Sequence, residues 1–121
     1  KLHNDSEQDN QRILIVEDDV DAADITLLLL ESLGAQAATV NSAKECQELL
    51  MSDGQWTKIL LDLHLPDANG LELARIIQQS HPDIELILVS GASVSEQSLK
   101  QVGINKALLK PVNLDLLKSI I

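Results

Sequence analysis

The sequence predicts an α/β domain built on a doubly wound parallel sheet, because five short apolar runs rich in Ile, Leu and Val alternate with segments of helical periodicity. The first, third and fourth runs are continuously apolar, as strands buried on both faces require. Parallel neighbours in turn need right-handed crossover connections, which the intervening helical segments supply. A chain of 121 residues, 45% of them hydrophobic, suffices for one core and has no room for a second domain.

Residues 1–11 are polar and aperiodic, which predicts a linker, an expression remnant or the end of a neighbouring domain, with the folded domain over 12–121. Ile13-Leu14-Ile15-Val16 is the first strand, followed by a helix to Leu33 and a weak strand near Ala35–Thr39. Ser42-x-x-Glu45 is a capping box ahead of Ala43, Cys46 and Leu50 at helical spacing, and Ile59-Leu60-Leu61 is the next buried strand. A helix from about Gly70 to Gln79 leads to a turn at His81-Pro82-Asp83, then to the clearest β run, Ile84 to Val89. Ser93-x-x-Glu96 predicts a second capping box, and Gly103 a helix stop. Ala107-Leu108-Leu109 is the last short strand. Asn113 opens a final helix in which Leu114, Leu117 and Ile121 share one face. Leu116 and Ile120 add a second apolar row, expected to be exposed and open to a partner, a second copy or a neighbouring domain. Five strands in this length suit the flavodoxin-like order 2-1-3-4-5, in which ligands bind beyond the carboxyl ends of the strands, between the first and the third.

Composition narrows the function classes. Nine Lys and Arg against nineteen Asp and Glu give a net charge of −10. Phosphate backbones need clustered cations, so direct nucleic-acid binding is not expected. Cys46 has no partner in the chain, which excludes an internal disulfide and favours a reducing compartment. No apolar run approaches bilayer-spanning length and the start of the sequence carries no secretory pattern, so no membrane insertion and a cytoplasmic location are expected. Phe and Tyr are absent and Trp56 is the one aromatic, which leaves no stacking platform for bases or flavins.

Chemistry-bearing residues gather at one rim of the predicted sheet. Glu17-Asp18-Asp19 ends the first strand, Asp62 the third and Ser90-Gly91 the fourth, and Lys110-Pro111 follows the fifth. Singly, each has a structural explanation: an acidic run favours a helix dipole, a serine opens a helix, a lysine is solvated. Together they crowd several carboxylates into one crevice, where they repel unless a cation is present. A hard divalent ion with oxygen ligands fits best, Mg²⁺ in the first place and Mn²⁺ as an alternative.

The residues resemble the receiver domain of two-component response regulators and hybrid histidine kinases. The resemblance covers nearly the whole chain after Arg12. It is carried by Ile13-Leu14-Ile15-Val16-Glu17-Asp18-Asp19, by Leu61-Asp62-Leu63-His64-Leu65-Pro66-Asp67-Ala68-Asn69-Gly70, by Leu88-Val89-Ser90-Gly91 and by Leu109-Lys110-Pro111. It implies that Asp62 is the phosphoacceptor, Asp18 a direct Mg²⁺ ligand, Glu17 an outer ligand acting largely through water, and the His64 backbone carbonyl the remaining protein ligand. It further implies that the Ser90 hydroxyl meets the phosphoryl group, that Lys110 pairs with a phosphoryl oxygen, and that Pro111 follows a cis bond. The implied donor is a phosphohistidine on a histidine kinase or a histidine-phosphotransfer protein. The implied output runs through the fourth helix, fifth strand and fifth helix to an output domain or a homodimer. Such a domain is a phosphoacceptor signalling module that promotes its own phosphorylation and dephosphorylation, rather than an enzyme. One position departs from the family: the aromatic three residues before the lysine is Ala107 here, so the response is expected to be smaller or to run through Leu108 and the fourth helix. The polar leader and the end at Ile121 suit a domain of a hybrid kinase, and equally a regulator without its effector or a stand-alone domain.

Two other classes share parts of this pattern. A haloacid-dehalogenase-like phosphatase uses an aspartate nucleophile with Mg²⁺, but on its first strand and with a second acid two residues later, where this chain has His64 after Asp62. A flavodoxin-like cofactor or interaction module shares the sheet, but the flanking aromatics and a glycine-rich phosphate loop are missing. Among single residues, His3 and His81 are expected to be solvated and the His64 imidazole to be uninvolved. Asp67 and Asn69-Gly70 are expected to serve a turn and a helix entry. Cys46 and Trp56 are expected to pack, Trp56 at the end of the sheet away from the site.

Overall fold

The computed structural model describes residues 11–121. The reading of 1–11 as a linker therefore concerns residues that, Gln11 apart, lie outside the described ones, as does His3. Five strands, β1 (Arg12–Val16), β2 (Gln36–Val40), β3 (Lys58–Asp62), β4 (Glu85–Ser90) and β5 (Lys106–Leu109), alternate with five helices, α1 (Val20–Ser32), α2 (Ala43–Ser52), α3 (Gly70–Ser80), α4 (Glu96–Gln101) and α5 (Leu114–Lys118). The strands form one parallel sheet in the order β2-β1-β3-β4-β5, as the sequence predicts. Among the described residues no helix is long and apolar enough to cross a membrane.

Alternation along the strands divides the core in two. Leu14, Val16, Ile59, Leu61, Leu86 and Leu88 face α2, α3 and α4, where they meet Cys46, Leu50, Leu73, Ala74, Ile77 and Leu99. Ile13, Ile15, Leu60, Ile87, Val89 and Leu108 face α1 and α5, where they meet Leu30 and Leu117. Each fully buried Leu or Ile contributes about 1.5–3 kcal/mol, so the core is carried by aliphatic side chains, with Trp56 its one aromatic. Trp56 packs at the amino end of the sheet, its indole donating to the Asp53 carbonyl (2.9 Å) under the Arg12 guanidinium, 4.3 Å from the ring centre. Arg12 also holds the Asp53 carboxylate at 2.8 Å.

Helix entries follow local chemistry. Asp19 caps α1 by accepting from Asp21 and Ala22, Ser42 caps α2, Asn69 caps α3 and Asn113 caps α5. Three expectations are corrected. The cap of α4 is Ser95, which accepts from the Ser98 amide, so Ser93 lies outside the helix and its spacing to Glu96 is coincidental. The second apolar row of α5 is not an exposed patch: Ile120 is 3% exposed and Leu116 packs against the core. The helix ends at Lys118 and tightens into Ile120-to-Leu117 and Ile121-to-Lys118 amide bonds, so 3.6-residue spacing no longer applies there. The exposed apolar residue at the start of α5 is Leu114 instead. Finally, His81 is half-buried at the end of α3, its ring against Gly54 and its Nδ1 2.9 Å from the Ser80 hydroxyl.

Candidate functional site

The strand order places the carboxyl ends of β1 and β3 side by side, so residues emerging from them meet. Glu17 follows β1 and Asp62 closes β3; they are 7% and 5% exposed, whereas Asp18 points to solvent. Carboxylate oxygens of Glu17, Asp18 and Asp62 all lie within 4.8 Å of one another. Lys110, beyond β5, reaches across the rim: its Nζ lies 3.0 Å from Glu17 Oε1 and 3.2 Å from Asp62 Oδ2. The other Asp62 oxygen accepts from the His64 amide at 3.3 Å, and Glu17 Oε2 accepts from the Asp19 amide at 3.2 Å. The His64 imidazole is exposed.

Ser90 ends β4, one residue beyond Val89, the register partner of Asp62, and is 2% exposed. Its hydroxyl donates to the Ala92 carbonyl in the loop after the strand. Its own carbonyl accepts from the Lys110 amide at 2.8 Å, and the Lys110–Pro111 peptide is cis. Beside the charged groups lies a cleft of about 230 Å³, walled by apolar residues of β1, α1 and the β5–α5 loop, including Ile15, Ile25 and Val112.

The charge balance of the site is set by burial. Burial raises the Glu17 carboxyl above its ordinary value, the neighbouring Asp62 adds to this, and Lys110 partly opposes it. Desolvation pulls the Lys110 ammonium down, but its bonds to Glu17 and Asp62 outweigh that and leave it raised. The lysine is thus held charged between two carboxylates.

Three residues here were not assigned to the site from sequence. Asn41, just after β2, donates from Nδ2 to the Glu17 carbonyl at 2.9 Å. Asp67 reaches beyond its own turn: its two oxygens accept from the Ala43 and Lys44 amides of α2, both at 2.9 Å, which holds its carboxyl below the ordinary range. Gly70 opens α3 so close to β3 that a Cβ there would stand 2.4 Å from the Asp62 carbonyl oxygen. Partners 24 residues away carry no local signal; Gly70 is legible as a helix entry, whereas its close approach to the β3 backbone is not.

Comparisons with known proteins match this geometry. The family model for the response regulator receiver domain matches residues 13–121. The chain is 36% identical over 93 residues to the sensor protein TorS of Escherichia coli, covering 77% of this chain and 10% of TorS. It is 28% identical over 113 residues to the response regulator protein PilR of Pseudomonas aeruginosa, covering 92% and 25%. The chain therefore spans a quarter or less of these curated relatives. Its fold is that of a CheY-like receiver domain protein from Methanospirillum hungatei (TM-score 0.83, 32% identity, 91% of this chain and 90% of that one). It is also similar in fold to the response regulator TrrA from Thermotoga maritima, solved in complex with Mg²⁺ and BeF (TM-score 0.81, 26% identity, 91% and 95%). With the family model matching residues 13–121 and the acidic rim in place, the chain belongs to the response regulator receiver domain family of two-component signalling.

Proposed function

We propose that Asp62 is the phosphoacceptor and that Glu17, Asp18, Asp62 and the His64 backbone carbonyl hold a Mg²⁺ ion, with Mn²⁺ able to substitute. The observation that carries this reading is the convergence of three carboxylates within 4.8 Å beside a lysine bonded to two of them. An all-oxygen donor set with one solvent-facing member suits a hard divalent ion that keeps several waters. The bound ion would screen the carboxylates from an anionic donor and neutralise charge developing on the phosphoryl oxygens.

The remaining steps belong to the chain. An Asp62 carboxylate oxygen attacks phosphorus in line with the departing imidazole of a phosphohistidine; the P–O bond forms, the P–N bond breaks, and the imidazole leaves with the electron pair. The donor is a histidine kinase or a histidine-phosphotransfer protein. Lys110, held charged at the rim, moves from the carboxylate pair to a phosphoryl oxygen. Ser90 gives up its bond to the Ala92 carbonyl and turns its hydroxyl to the phosphoryl group, drawing in the loop after β4.

Ala107 in place of an aromatic leaves this response to Leu108 and α4. The surface it changes comprises α4, β5 and α5, where Leu109 is 52% exposed and Leu114 lies at the surface. That surface would meet an output domain or a second copy. Neither alternative class gains an observation, because Asp62 lies on the third strand and the cleft beside it offers no aromatic wall.

The test is transfer from a phosphohistidine-bearing donor followed by borohydride reduction, which converts an aspartyl phosphate to homoserine. Homoserine at position 62, formed only with Mg²⁺, is expected. Homoserine elsewhere, or the same yield in chelator, would overturn the assignment.

A further inference from the structure

The amino end of α2 connects both loops that carry the proposed metal ligands. The free amides of its first turn, Ala43 to Glu45, are all accounted for, and the helical ladder begins at Cys46. Glu45 N donates to the Ser42 hydroxyl and Cys46 N to the Ser42 carbonyl, both at 3.1 Å. Ala43 N and Lys44 N donate instead to the two oxygens of Asp67, each at 2.9 Å. Asp67 belongs to the β3–α3 loop, which closes on itself through bonds from Leu65 N to Ala68 O (3.2 Å) and from Gly70 N to Leu63 O (2.7 Å), with His64 bridged to Asn69. Fixing Asp67 therefore fixes the segment bearing His64. On the other side, Asn41 immediately precedes the Ser42 cap. Its side chain donates to the Glu17 carbonyl at 2.9 Å and its amide donates to Glu45 Oε1 at 2.7 Å. The β1–α1 loop bearing Glu17 and Asp18 is thereby tied to the same helix end.

We infer that Asn41 and Asp67 are positioning residues for the metal site, using the first turn of α2 as a bracket that sets the spacing between the Glu17–Asp18 loop and the His64 loop. This rests on the reading of those residues as Mg²⁺ ligands. Neither Asn41 nor Asp67 touches the ion; each acts through a backbone it holds. Groups that orient metal ligands govern affinity nearly as strongly as the ligands themselves, typically by about tenfold or more.

The test is calorimetric titration with Mg²⁺, at a temperature where circular dichroism shows every variant folded. The proteins are wild type, Asn41→Ala, Asp67→Ala and the control Ser42→Ala, which weakens the same helix end without releasing either loop. Asn41→Ala and Asp67→Ala are expected to bind Mg²⁺ about tenfold more weakly. Ser42→Ala is expected to lower the melting temperature and leave affinity at the wild-type value. If Asp67→Ala fails to fold, Asp67→Asn, which retains one acceptor oxygen, is expected to weaken binding by a smaller factor. Wild-type affinity in the Asn41 and Asp67 variants would overturn the inference, as would an equal loss in Ser42→Ala. Absence of Mg²⁺ binding by the wild type would overturn the site reading itself, and the bracket with it.

Discussion

Lys110 lies 3.0 Å from Glu17 and 3.2 Å from Asp62, so its removal leaves two buried carboxylates facing each other without a counter-charge. Lys110→Met is expected to raise the Glu17 carboxyl further, read from carboxyl-carbon NMR shifts across a pH titration. The wild-type value is already raised, with burial the first cause, so the folded state holds the Glu17 proton more tightly than the unfolded state does. That contribution to stability is complete below the unfolded value near 4.5 and is lost as pH rises through the folded value. Denaturation of the metal-free protein over this range is expected to show the decline, and Glu17→Gln to flatten it. Asp67 has the opposite sign: its depressed value stabilises above 3.8, and that contribution is lost as pH falls through the folded value. Cys46 is fully buried and burial pushes its thiol up to about 12, so it is expected to resist alkylation at neutral pH until the protein is unfolded.

At the level of elements, α3 starts hard against the backbone of β3. Gly70→Ala would drive a methyl group into the Asp62 carbonyl oxygen at 2.4 Å and the Leu63 Cα at 2.9 Å, both backbone atoms that side-chain rotation cannot relieve. The expected cost is about 1–3 kcal/mol in denaturant unfolding, with slower phosphorylation because Asp62 itself must shift. Helix α4 distinguishes two candidate caps: Ser95→Ala should cost about 1 kcal/mol and Ser93→Ala much less. The difference shows what a sequence carries. Strands β1, β3 and β4 are legible because both faces are buried and their apolar runs are unbroken. The edge strand β2 is half-buried, so its pattern is faint and its bounds fall one residue later than read. The carboxylates and the lysine are legible because each sits at a strand end, where topology alone brings them to one rim. Asn41 and Asp67 are not, because what they hold lies 24 residues away. Ile120 departs from its helical spacing because the five-residue helix ends before it, at Lys118.

For the whole molecule, the buried C-terminal segment and the acidic rim govern stability in different ways. Ile120→Ala should cost about 2–4 kcal/mol as a core truncation, whereas Leu114→Ala, at the surface, should change stability by roughly 0.5 kcal/mol or less. The chain carries a net charge of −10, and three of its carboxylates converge at one site. A ligand that binds only the folded state at a hundred times its dissociation constant adds about 2.7 kcal/mol, so Mg²⁺ at that level should stabilise the wild type by this amount. Asp18→Asn should abolish most of the gain. The central claim, that Asp62 accepts a phosphoryl group with the help of a divalent ion, is tested most directly by intact mass after incubation with acetyl phosphate. Wild type and Asp62→Asn are compared, each with and without Mg²⁺. The account predicts the mass of one phosphoryl group added to the wild type with Mg²⁺ and to no other sample; the same gain in Asp62→Asn, or in the wild type without the ion, would contradict it.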